Sequence, residues 1–120
     1  MAKKILVVDD EPNIVEVITS RLKANNYEVI AAFDGEEAVE LTEKEKPDLI
    51  ILDLMLPKMD GYQVCNQLKT NQGLKDIPII MLTSRGKADE IKKGIDKGAD
   101  AYLTKPFNWE KLAGIMSGFL

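Results

Sequence analysis

Histidine is absent from the chain, and cysteine occurs only as Cys65. Without imidazole there can be no Ser-His-Asp or Cys-His triad, no imidazole proton shuttle, and none of the commonest zinc sites. A lone cysteine closes no internal disulfide. Basic runs are missing too, and the formal net charge is -4. The chain therefore lacks the electrostatic footprint that nucleic acid or an anionic membrane surface requires. Lys3 and Lys4 precede an apolar stretch that Asp9 ends too soon for a signal peptide, so a cytoplasmic location is expected. No linker, repeat or low-complexity tract interrupts the sequence. Any chemistry must run on Asp, Lys, Thr or a hard metal ion.

A length of 120 residues with 45% hydrophobic content suits one compact domain, taken as residues 1–120. Apolar runs recur at Ile5–Val8, Val29–Phe33, Leu49–Leu52, Ile77–Leu82 and Ala101–Leu103. Between them lie segments with helical spacing. Ile14, Val17, Ile18 and Leu22 mark one face expected to bury, and Leu112, Ile115, Met116 and Phe119 mark another. Gly35–Glu45, Gly61–Thr70 and Lys87–Lys97 supply three further helices; Gly94 inside the last costs it about 1 kcal/mol relative to alanine. This is the βα alternation of an α/β fold. Continuous apolar strands imply a parallel five-stranded sheet covered on both faces, and short right-handed crossovers allow a doubly wound arrangement. Pro12 suits the first turn of a helix that starts right after Asp9 and Asp10, and Gly98 suits a left-handed helix cap.

Asp53 follows one apolar run, Asp9 and Asp10 follow another, Thr83 ends a third and Lys105 comes after a fourth. The carboxyl ends of adjacent parallel strands open on one crevice, so these side chains are expected to meet. Three crowded carboxylates repel unless a cation neutralises them. Magnesium fits, because it takes one or two protein carboxylates and keeps waters and a phosphate oxygen; a backbone carbonyl beyond Asp53, that of Met55, could add a ligand. Lys105 can reach anionic oxygens across the crevice, the Thr83 hydroxyl can donate to the same place, and Ser84 is small enough to leave access. Together these groups read as a phosphoryl-transfer site at which Asp53 becomes an aspartyl phosphate. Taken singly, Asp9 equally reads as a capping acid, Thr83 as a helix cap and Tyr102 as a half-buried sheet residue. Cys65 and Trp109 read as packing residues, and Glu43–Lys46 as a solvated helix end.

Asp9-Asp10, Asp53, Pro57 with Gly61, Thr83-Ser84 and Lys105-Pro106-Phe107, in this order over essentially the whole chain, resemble the receiver domain of bacterial two-component response regulators. The resemblance implies a CheY-like, flavodoxin-like three-layer (βα)5 sandwich with strand order 2-1-3-4-5. It also implies a signalling switch. A histidine kinase or histidine phosphotransfer protein would donate a phosphoryl group to Asp53, with Mg²⁺ held by Asp10, Asp53 and the Met55 carbonyl and Asp9 helping through water. Thr83 would then move toward the phosphoryl group and Tyr102 would turn inward. The changed surface would comprise the fourth predicted helix, the fifth strand and the fifth predicted helix, read by an output partner that the sequence does not identify. A cis Lys105–Pro106 bond is also implied.

Rival readings fare less well. A haloacid-dehalogenase-like phosphatase needs a second acid where Met55 stands, and a flavodoxin-like cofactor site needs a phosphate cradle where Asp9-Asp10-Glu11-Pro12 would repel phosphate. A receiver fold kept as a scaffold without a kinase stays open, as does the choice between a stand-alone receiver and part of a longer regulator. Met55 and Arg85 stand at the positions that tune hydrolysis in the family, and an apolar Met55 predicts slow decay. Winged-helix regulators carry two acids before the tyrosine and a basic residue in the fifth helix. Here Asp100-Ala101-Tyr102 and Gly114-Ile115-Met116 stand instead. A monomer, or a weak dimer of another kind, is therefore expected.

Overall fold

The computed structural model describes residues 2–83 and 98–120. Five parallel strands, β1 (Lys4–Val8), β2 (Glu28–Ala32), β3 (Leu49–Asp53), β4 (Ile79–Thr83) and β5 (Ala101–Thr104), form one sheet in the order β2-β1-β3-β4-β5. Ile5 lies beside Val29 and Leu49, Ile51 beside Ile80, and Leu82 beside Leu103. Four helices are present among the described residues: α1 (Pro12–Ala24), α2 (Gly35–Glu45), α3 (Gly61–Lys69) and α4 (Trp109–Ser117). The helix expected over 87–97, with Ser84 and Arg85, lies outside the described residues.

The two-residue strand period sends alternate side chains into two cores. Leu6, Val8, Ile50, Leu52, Ile79 and Met81 face α2 and α3, where Ala38, Val39, Val64, Cys65 and Leu68 cover them. Ile5, Val7, Leu49, Ile51, Ile80 and Leu82 face α1 and α4, meeting Val15, Ile18, Leu22, Leu112 and Met116. That gives the three layers implied by continuous apolar strands. Trp109 packs on the second core and Cys65 is buried in the first.

Local signals place the helix ends. Pro12 starts α1, the Asp34 side chain caps α2 by accepting from the Glu37 amide, and Asp60 and Gln63 form a reciprocal capping box at α3. Lys46 ends α2 in a left-handed conformation, so Glu43–Lys46 is a capped terminus; within it Glu45 pairs with Lys4 at 3.0 Å. Gly98 has φ +98, the left-handed geometry expected of it. Lys105–Pro106 is cis.

Two expectations about helix faces need correction. Val17 is 64% exposed rather than buried, because the buried stripe of α1 runs through Val15, Ile18 and Leu22 and leaves Val17 on its flank. Phe119 lies beyond the end of α4 and is exposed. Strand limits also move: β2 ends at Ala32, leaving Phe33 exposed, and β4 begins at Ile79 rather than Ile77.

Candidate functional site

β1, β3, β4 and β5 run parallel, so their carboxyl ends share one rim, and the sequence puts a polar residue at each. Asp9 follows β1 directly and is fully buried; its amide donates to the Ala32 carbonyl at 3.2 Å, extending the sheet ladder. Asp53 is the last residue of β3, 5% exposed, and pairs in register with Leu82. Thr83 ends β4, fully buried, and its carbonyl accepts the Lys105 amide at 2.6 Å. That bond anchors the Lys105 main chain to the strand beside Asp53.

Lys105 joins the acids. Its Nζ lies 2.9 Å from Asp9 Oδ2 and 3.3 Å from Asp53 Oδ1, so one ammonium serves two carboxylates. The other Asp9 oxygen, Oδ1, accepts the Glu11 amide at 3.0 Å. That bond ties down the strand-to-helix loop and takes up a donor near the start of α1, where Glu11 makes no side-chain cap. Asp10 is exposed, yet oxygens of Asp9, Asp10 and Asp53 all lie within 4.8 Å of one another.

Electrostatics at Asp53 follow from this crowding. Burial, reinforced by the Asp9 charge, pushes its carboxyl up to about 6, against the opposing pull of Lys105 and a backbone hydrogen bond from Met55. For Lys105, burial favours loss of the proton, but the hydrogen bond to Asp9 and the charges of Asp53 and Asp9 outweigh it and raise the pKa. A single ammonium thus leaves excess negative charge. An all-oxygen donor set with uncompensated charge fits a hard divalent cation, and Asp9, Asp10 and Asp53 could hold one.

The remaining residues singled out from sequence stand around this cluster. Met55 lies just beyond Asp53 and is 55% exposed. Tyr102, on β5 in register with Met81, is half-buried against the α2–α3 core, and its hydroxyl is buried with no hydrogen-bond partner among the described residues. A feature not foreseen from sequence is an apolar groove of about 540 Å³ beside Lys105, lined by Ile14, Val17, Ile18, Pro106 and Phe107. Its sequence trace was Val17, an apolar residue the core does not use.

Known proteins share this sequence pattern and fold. The family model for the response regulator receiver domain matches residues 5–117. The alkaline phosphatase synthesis transcriptional regulatory protein PhoP of Bacillus subtilis is 51% identical over 108 residues, covering 90% of this chain and 44% of PhoP. The DNA-binding dual master transcriptional regulator RpaA of Synechocystis is 44% identical over 91% of this chain and 45% of its own length. The chain therefore spans less than half the length of these relatives. Among solved structures, the Vibrio cholerae chemotaxis protein CheY4 superposes with a TM-score of 0.94 at 33% identity, each chain covered completely. The receiver domain of the sensor histidine kinase PA1611 from Pseudomonas aeruginosa, described with a magnesium ion coordinated in its active-site cleft, gives 0.91 at 30% identity over 99% of this chain and 98% of that one. With the acids, the lysine and the sheet order in place, the chain belongs to the response regulator receiver domains, the signalling switches of two-component systems.

Proposed function

We propose that Asp53 accepts a phosphoryl group from a histidine kinase or histidine phosphotransfer protein. The observation that carries this reading is the Lys105 ammonium, held within 3.3 Å of both Asp9 and Asp53. At neutral pH Asp53 is mostly ionised, since its pKa is about 6. A carboxylate oxygen attacks phosphorus in line, the new O–P bond forms as the donor's N–P bond breaks, and the electron pair leaves with the imidazole nitrogen. Lys105 remains beside the nucleophile and balances charge on the phosphoryl oxygens, and the Thr83 hydroxyl donates to one of them. Asp10, Asp53 and the Met55 carbonyl would hold Mg²⁺, with Asp9 acting through water; the ion supplies charge neutralisation on the transferred group. The receiver thereby assists its own phosphorylation.

The apolar groove supplies a landing surface for the histidine-bearing partner, because it runs along α1 to Pro106 and Phe107 and shares Lys105 with the acid cluster. Output follows from a population shift. The Tyr102 ring lies half-buried at the edge of the α2–α3 core, its hydroxyl buried with no hydrogen-bond partner among the described residues, and a second packing of that ring supplies the other state. Movement of Thr83 toward the phosphoryl group, with repacking of Tyr102, then changes the surface of β5 and α4. The molecule works as one receiver unit, residues 1–120, monomeric and cytoplasmic, and signals to an output partner. A small phosphoramidate donor in the presence of Mg²⁺ tests the chemistry: borohydride reduction of the product should convert Asp53 to homoserine. Reduction of another residue, or of none, would refute the assignment.

A further inference from the structure

Resting on the metal-site reading above, we infer that Gly35 is a positioning residue for the metal. It sets the loop that carries the Met55 carbonyl although it belongs to a different element. The β3–α3 loop, residues 54–60, is closed at its base by the Gly61 amide donating to the Leu54 carbonyl at 2.9 Å. A Cβ at Gly61 would fall 2.6 Å from the Asp53 carbonyl oxygen, so that end fits tightly against the phosphoacceptor's own backbone.

The far end is held from α2. A Cβ on Gly35 would collide with the Met59 carbonyl oxygen and would lie 2.6 Å from Met59 Cβ. The first of these is main chain and cannot rotate away, so any side chain at 35 must push the loop itself. Beside this contact Asp34 pairs with Lys58 at 3.6 Å, while Lys58 adopts φ +68 and the Met59 amide bonds the Pro57 carbonyl at 2.7 Å. Both loop ends are therefore fixed against backbone, and Met55 lies between them. Magnesium demands near-ideal octahedral geometry, whereas calcium accepts six to eight oxygens in flexible arrangements. A displaced carbonyl must penalise the smaller ion more.

The test measures Mg²⁺ and Ca²⁺ affinity by calorimetry on wild type, Gly35→Ala and Asp53→Asn, with urea melts to confirm that each sample is folded. Gly35→Ala should bind Mg²⁺ roughly tenfold more weakly, in the range seen for supporting residues around metal ligands. Ca²⁺ affinity should fall less, so the Mg²⁺/Ca²⁺ ratio drops. Should Gly35→Ala not fold, Met59→Gly, which removes the Cβ seated on Gly35 but keeps the carbonyl contact, should lower the ratio in the same direction by a smaller factor. An unchanged ratio in a folded variant overturns the inference while leaving the metal site standing. A wild type that binds no Mg²⁺, or binding that survives Asp53→Asn unaltered, overturns the metal-site reading itself.

Discussion

A phosphoacceptor at Asp53, as proposed, has to be both buried enough to be defined in position and charged enough to attack, and burial works against the charge by raising its pKa. An acid whose folded pKa is about 6, above its unfolded value near 3.8, binds its proton more tightly in the native state. In metal-free solution stability therefore falls as pH rises from about 4 to about 6 and is level above that. The loss is about 1–2 kcal/mol once solvent screening at the crevice is allowed for. Asp53→Asn should flatten this part of the profile, as followed by urea denaturation across pH; a profile as steep as that of wild type would place the titration elsewhere. Met55 makes a second residue-scale prediction. Its exposed thioether chain offers an attacking water no strong hydrogen bond. Met55→Asn should speed loss of the phosphoryl group several-fold, measured as decay of the phosphorylated species, and an unchanged rate would remove Met55 from the control of hydrolysis.

At the scale of elements, α1 shows what periodicity resolves and what it does not. Ile18 is buried and Val17, its neighbour, is exposed, yet both fit an apolar helical stripe. Ile18→Ala should cost about 3 kcal/mol by leaving a core cavity, and Val17→Ala less than about 0.5 kcal/mol. Equal losses in chemical denaturation would place Val17 in the core after all. If the groove receives the histidine-bearing partner as proposed, Val17→Asp should instead slow phosphoryl transfer from a kinase while sparing transfer from small donors. The same limit governs legibility elsewhere. Apolar runs such as Leu49–Leu52 located the strands because full burial on both faces leaves no polar position. Strand ends were blurred because Asp53 and Thr83 continue the ladder with polar side chains, their neighbours bonded through the Leu54 amide to Leu82 and the Lys105 amide to Thr83. The acids and Lys105 were legible because topology alone brings strand ends together. The seating of Met59 on Gly35 was not, since a contact between the first residue of α2 and a loop leaves only a glycine after a helix cap as its trace.

The whole molecule is a two-faced sandwich whose polar chemistry is confined to one rim, so a change at Asp53 must reach partners through the sheet and the helices that flank it. No helix among the described residues is long and apolar enough to cross a membrane. Asp100, which could serve a charged contact between copies, is engaged within the chain: its carboxylate takes Lys69 Nζ and the Ile79 amide, each at 2.8 Å. Sedimentation should therefore show a monomer before and after phosphorylation, and a stable phosphorylation-dependent dimer would contradict this. The decisive measurement is intact mass after incubation with acetyl phosphate and Mg²⁺. Wild type should gain a single phosphoryl group, dependent on the cation, and Asp53→Asn should gain none. An unmodified wild type, or an adduct that persists in Asp53→Asn, would mean that the cluster of Asp9, Asp10, Asp53 and Lys105 is not a phosphoacceptor site.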